Sequence, residues 1–220
     1  MSNAPIDPEN RREFSKLQPP KPNKWPRTER RQQRLRSVLS RRQPDLVVVL
    51  ENVFDAHNAS AVLRSCDAVG VLEVHLVYDV EEPPESVFAR TTSSGTAKWM
   101  DIYRHESIED CYAALREKQL NILVTALQTD SKRLYESDLA SPVALVFGNE
   151  QRGATEQAVA LADGTIYIPM LGVVESLNIS VACAVTLYEA LRQRQEAGLY
   201  DVPRLSDEEL ESRLDAWLRR

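Results

Sequence analysis

Three short stretches of this chain place polar side chains where a ligand could meet them. The first runs from Asn58 through Arg64 to Gly70 and reads NASAVLRSCDAVG. Val62, Cys66 and Val69 recur at helical spacing and form an inward stripe, while the many small residues permit close helix packing. At about 100° per residue Arg64 lies roughly 200° from Val62, so its guanidinium points away from that stripe. Asn58 stands at the head of the same helix, as a plain cap or as an amide facing a ligand, and His57 helps shape that turn. The second stretch, Phe147-Gly148-Asn149-Glu150-Gln151-Arg152-Gly153, is a glycine-flanked acidic turn directly after an apolar run. Gly148 permits close backbone approach there, and Glu150 can accept from a ligand, clamp an arginine or cap the following helix. In the third, an apolar loop from Ile168 through Met170 and Gly172 leads to Ser176-Leu177-Asn178, with Ser176 as the expected N-cap. Such a loop suits a flat aromatic ring such as adenine.

Other chemistries fail on spacing. The segment after the first apolar run, Glu51 to Asn58, contains no glycine, so a dinucleotide-binding G-x-G-x-x-G turn is excluded. Gly148 and Gly153 have phosphate-loop spacing, but Ala154-Thr155 follow where Lys and Ser or Thr would be needed. Cys66, Cys111 and Cys183 are odd in number, far apart and without a C-x-x-C pair. They read as reduced, buried thiols in a cytoplasmic protein, and no metal site is expected.

The elements that must position these residues follow from hydrophobic patterning. Branched-aliphatic runs recur at Leu46–Leu50, Val74–Tyr78, Asn121–Leu127, Val143–Phe147 and Thr165–Ile168. Helix-length segments lie between most of them: His57–Val69, Ile108–Gln119, Thr155–Ala162 and Leu177–Ala197. Continuous apolar strands alternating with helices predict an α/β fold, a mostly parallel sheet with helices on both faces. Two helical extensions flank it. Thr28–Arg42 is helix-favouring, with an apolar stripe of Leu35, Val38 and Leu39 among arginines, and Ser206–Arg220 opens on a capping box. The division is a flexible tail (1–24), a basic N-terminal helix (25–44), an α/β domain (45–200) and a C-terminal helix (201–220). No apolar run approaches a membrane span, and no secretory leader is evident.

The formal charge of −6 conceals an asymmetry. Between Arg11 and Arg42 twelve Lys and Arg face two acids, a local +10 that leaves −16 on the rest. An acidic body with a basic arm predicts one polyanion-binding element.

In this order, the three stretches resemble the knotted SPOUT RNA 2′-O-ribose methyltransferases, and among them the bacterial enzymes acting on guanosine 18 of tRNA. The likeness runs from about Thr28 to the C-terminus. Glu51-Asn52, His57-Asn58, Arg64, Phe147-Gly148 with Glu150, Ile168-Pro169-Met170, Ser176-Leu177-Asn178 and Arg192-Gln193-Arg194 carry it. Glu175 departs from the pattern, where Gln is expected. The resemblance implies a deep C-terminal trefoil knot holding S-adenosylmethionine, with Thr125, Gly148, Ile168, Met170 and Leu177 lining the donor pocket. It implies a homodimer that brings Arg64 of one protomer near the donor of the other. Arg64, Asn58, Glu150, Ser176 and Asn178 are then the expected catalytic set. Because an arginine of pKa above ~12 is a poor base, Arg64 is read as gripping the phosphate and polarising the 2′-hydroxyl. About 45 residues precede the first strand, too few for a separate RNA-binding domain, which favours tRNA as substrate. Arg30, Arg31, Arg34, Arg41, Arg42, Arg192 and Arg194 are the expected RNA contacts. A ribosomal-RNA methyltransferase of the same fold, and a non-catalytic RNA-binding protein, are the alternatives.

Overall fold

The computed structural model describes residues 29–79 and 95–220, so the tail assigned to 1–24 lies outside the described residues. Seven strands form one sheet in the order β3-β2-β1-β6-β4-β7-β5, with every pairing parallel. They span Gln43–Glu51 (β1), Val71–Val77 (β2), Asp101–His105 (β3), Asn121–Thr125 (β4), Lys132–Arg133 (β5), Val143–Phe147 (β6) and Gly164–Tyr167 (β7). The helices are Glu29–Leu39 (α1), Ala56–Val69 (α2), Ile108–Glu117 (α3), Glu156–Leu161 (α4), Ile179–Glu196 (α5) and Asp207–Leu218 (α6).

Successive residues of β1 feed opposite faces. Leu46, Val48 and Leu50 pack with Val62, Leu63, Cys66, Cys183 and Leu187 of α2 and α5. Val47 and Val49 pack with Ile108, Tyr112, Leu115 and Ala158 of α3 and α4. Both faces are therefore covered, which is why the central strands are apolar throughout rather than alternating. A third cluster joins the extensions: Leu39, with Leu35 and Val38, meets Leu210, Leu214 and Trp217 of α6. The α6 capping box between Ser206 and Glu209 forms as its spacing indicates. Among the described residues no helix is long and apolar enough to cross a membrane.

Two strands escape the hydrophobic pattern. β3 carries DIYRH and β5 only two residues, both at sheet edges where burial on two faces is not required. Strand β1 also opens at Gln43, two residues inside the segment assigned to the basic helix.

Two arginines expected on an RNA surface are instead interior. Arg42 is 1% exposed; it donates to Val71 O at 2.9 Å and Asp67 Oδ1 at 2.5 Å and lies over the Trp217 ring. Arg194 is fully buried, bonding Leu139 O, Ser141 O, Gln43 Oε1 and both the carbonyl and carboxylate of Asp45. A guanidinium has five donors in a fixed fork, so one side chain can tie several carbonyls together. Both arginines are structural staples, and neither is available to a phosphate.

Candidate active site

The functional stretches meet at the carboxyl ends of four neighbouring strands, β1, β6, β4 and β7. Ligands in open α/β sheets gather at that edge, beyond the last strand residues. From β6 the chain turns back on itself at 148–153, where Asn149 and Gly153 exchange backbone hydrogen bonds of 3.0 and 2.8 Å. The fold-back is so close that a Cβ on Gly148 would overlap the backbone of Gly153 and Ala154. No other residue fits there without moving the backbone.

The turn bounds a cavity of about 840 Å³, within the range of small-molecule sites. Thr125, Gly148, Ile168, Met170 and Leu177 all line it, together with Glu150, Glu175 and Ser176. Thr125 is fixed by donating its hydroxyl to Val146 O at 2.9 Å. The cavity's apolar lining, from Leu127, Phe147, Ile166, Ile168, Met170 and Val174, suits a flat aromatic ring such as adenine. A second cavity of about 420 Å³ shares residues 149–152 with the first and is lined also by Phe54, Asp55 and Asn58.

Three expected catalytic residues form a continuous chain along this rim. Asn58 Nδ2 donates to Glu150 Oε1 at 2.9 Å, and Asn178 Nδ2 donates to Asn58 Oδ1 at 3.1 Å. Asn178 Oδ1 in turn accepts from Ser180 N and Oγ. An amide has two N–H donors, so Asn58 keeps one for a ligand.

The structure decides between capping and site roles. Asp55 caps α2, which releases Asn58 for the site. Thr155 caps α4, so Glu150 is not a cap either. The cap of α5 is Asn178 rather than Ser176, which remains exposed on the cavity wall. Arg64 is exposed on the outer face of α2, outside the hydrogen-bonded chain. Arg192 is held by Glu189 and Glu196, its charge met by two carboxylates. The Arg192 hydrogen bond holds the Glu189 carboxyl below its ordinary range, outweighing the upward push of burial. Arg30 and Arg41 are exposed, and Arg31 and Arg34 partly so. Sequence reading gave no role to Asn149, Arg152 or Thr155. Their only signal was position in or beside the glycine-flanked turn.

One group of metal-ligand type occurs among the described residues: His75, His105 and Cys111. The two imidazoles are already committed to each other, with Nδ1 of His75 2.8 Å from Nε2 of His105. Burial pushes the Cys111 thiol up to about 12, far from the thiolate a metal requires.

A parallel sheet with a cavity of small-molecule size at its carboxyl edge and an amide–carboxylate chain beside it is an α/β fold with a ligand site at that edge. The chain belongs to the SpoU rRNA methylase family, whose model matches residues 45–188. It is 50% identical over 194 residues to the tRNA (guanosine(18)-2′-O)-methyltransferase of Thermus thermophilus, covering 88% of this chain and 98% of that protein. Its fold matches the TrmH/SpoU tRNA modifying enzyme of A. aeolicus with a TM-score of 0.76 at 39% identity, over 87% of this chain and 96% of that one. It also matches an AdoMet-bound rRNA methyltransferase from Sinorhizobium meliloti with a TM-score of 0.60 at 29% identity, over 72% and 59% of the two chains.

Proposed function

We propose that this chain transfers the methyl group of S-adenosylmethionine to the ribose 2′-hydroxyl of guanosine 18 in tRNA, as a cytoplasmic homodimer whose donor pocket lies in a trefoil knot. The observation that carries the reading is the Asn178–Asn58–Glu150 chain on the rim of a cavity lined by Thr125, Gly148, Ile168, Met170 and Leu177.

When bound, S-adenosylmethionine supplies an electrophilic methyl next to a positively charged sulfur. The residues then have to bring an alcohol oxygen into line with that methyl and relieve it of its proton. Positioning supplies most of the rate, and a fixed near-attack geometry is what a rigid hydrogen-bonded rim provides. Glu150 fixes Asn58 from one side and Asn178 from the other, leaving the free Asn58 N–H to orient the ribose. Arg64 grips the adjoining phosphate and polarises the hydroxyl. The phosphate takes the proton, because a guanidinium cannot.

The outer faces of α2 and α5 support the dimer. Val181 and Tyr188, two helical turns apart on α5, are 47% and 54% exposed, and Leu171 and Val173 on the donor loop are almost wholly exposed. An apolar face of this kind marks a protein interface. Arg64 is exposed on α2, the helix packed against α5, and pairing two copies through that face is the arrangement that would bring each Arg64 to the other copy's cavity. The exposed arginines of α1 supply the grip on tRNA phosphates.

Purified protein incubated with labelled S-adenosylmethionine should methylate a tRNA transcript at guanosine 18 and leave 23S rRNA untouched. Arg64→Ala should lose that turnover by at least about 100-fold with donor affinity nearly unchanged, as expected for a group that acts only on the reacting hydroxyl. Labelling of rRNA alone, or full activity in Arg64→Ala, refutes the corresponding half of the reading.

A further inference from the structure

The structure assigns Glu51 and Asn52 as positioning residues that hold the Glu150 turn in register with Asn58, an assignment that rests on the methyl-transfer reading above. Neither lines the donor cavity.

Glu51 closes β1 with a fully buried side chain, an unfavourable place for a carboxylate unless its oxygens are bonded. Here both oxygens have partners. Oε2 accepts from Thr155 N at 3.0 Å and Oε1 from Thr155 Oγ1 at 2.5 Å. Burial drives its pKa up, the Thr155 bonds oppose this, and nearby Asp79 reinforces it; among the described residues no cation contributes. A buried carboxylate kept without a counter-ion stabilises the fold less than an aliphatic side chain of that size would. What it supplies is a fixed point of attachment.

Asn52 supplies the second. Its backbone is left-handed, φ 54, a conformation that Asn tolerates better than most residues. Asp79 holds its side chain at both ends, with bonds of 2.7 and 3.2 Å. Thus fixed, the Asn52 carbonyl accepts from Asn149 Nδ2 at 2.8 Å, while Asn149 Oδ1 gathers the amides of Gln151 and Arg152. The turn is therefore gripped at 149 by Asn52 and at 155 by Glu51. Glu150 lies between the two grips, and its carboxylate is what fixes Asn58.

The test is a double-mutant cycle on the full-length protein with a tRNA transcript. Glu51→Gln preserves size but offers one acceptor where the carboxylate offers two. Its kcat should fall about 10- to 100-fold, the scale of a small misplacement, with donor Kd within about threefold. Added to Glu150→Ala, it should change kcat less than about twofold, because Glu51 acts through Glu150. Thr155→Val should repeat the loss, and Thr155→Ser, which keeps the hydroxyl, should restore activity; this pair also serves if Glu51→Gln folds poorly. Unchanged kcat in Glu51→Gln and Thr155→Val, or equal losses with and without Glu150, would overturn the assignment and leave the methyl-transfer reading standing. A wild-type protein that labels no tRNA would remove that reading instead.

Discussion

Asn178 donates to Asn58 across 120 positions of sequence, at 3.1 Å, and so ties the cap of α5 to the first turn of α2. The same residue that ends the loop after β7 thereby fixes a side chain that lines the smaller cavity. Asn58→Ala removes the middle of the chain while leaving both helix caps intact. Turnover should fall about 100-fold, as for a small displacement of reacting groups, with thermal stability within a few degrees. Single-turnover kinetics alongside a melting curve separate the two effects.

Gly148 has no room for a methyl group. Gly148→Ala forces backbone against backbone at Ala154, where no rotamer change gives relief. Destabilisation of about 2–3 kcal/mol is expected from overpacking of this kind, together with loss of donor binding. Urea unfolding and calorimetric titration with S-adenosylmethionine would measure both; ordinary stability in this variant would mean that the turn has room to open.

Two neighbouring arginines should behave oppositely. Arg194→Ala leaves the carbonyls of Leu139, Ser141 and Asp45 and the amide oxygen of Gln43 without their shared donor, while the Asp45 carboxylate keeps Arg204, and should cost about 3 kcal/mol. Arg192→Ala breaks an exposed pair with Glu196 and a part-buried one with Glu189, whose carboxylate keeps Gln193 as a donor, and should cost less, about 1–2 kcal/mol. Denaturant midpoints of the two variants decide it directly.

His105, stacked on His75, makes stability depend on pH. Burial, then the neighbouring His75, lowers the His105 pKa; Asp110 opposes this weakly. A group depressed in the folded state stabilises fully above its unfolded pKa of about 6.5 and loses that contribution as pH falls toward the folded value. Glu73, Tyr103 and Cys111 also face the pair and stay in one protonation state over that window. Melting temperature should decline between pH 7 and 5, and His105→Asn should flatten the decline.

RNA affinity should depend steeply on salt. Replacing Arg30, Arg31, Arg34 and Arg41 together by Gln should reduce the slope of log K against log salt by roughly 0.7–0.9 for each phosphate no longer neutralised. Filter binding from about 50 to 300 mM salt gives the slope; an unaltered one would place the RNA on another face.

Much of the architecture is legible in the residues because central parallel strands must be apolar on both sides, and the runs at Leu46, Val74, Asn121, Val143 and Thr165 meet that demand. Edge strands escape it, which is why Asp101–His105 and Lys132–Arg133 carry no such signature. Thr125, Gly148, Ile168, Met170 and Leu177, which the family resemblance singles out, line one cavity. The two buried arginines were not. Arg42 and Arg194 lie in arginine-rich runs like any solvated helix face, and only folding brings Asp67 and Asp45 beneath them. Asn58 shows the same limit. Its sequence position fits a helix cap, and the presence of Asp55 as the actual cap becomes evident only from backbone geometry.

The clasp between α1 and α6 has a consequence for how the protein is made. Leu35, Val38 and Leu39 gain their cover from Leu210, Leu214 and Trp217, and Arg36 from Glu211. A ribosome delivers those covering residues after every strand of the sheet. Until α6 emerges the arginine helix is thus unseated, even after the strands around the larger cavity have been made. A copy cut short before Ser206 would keep the residues that line both cavities and leave the apolar stripe of α1 uncovered.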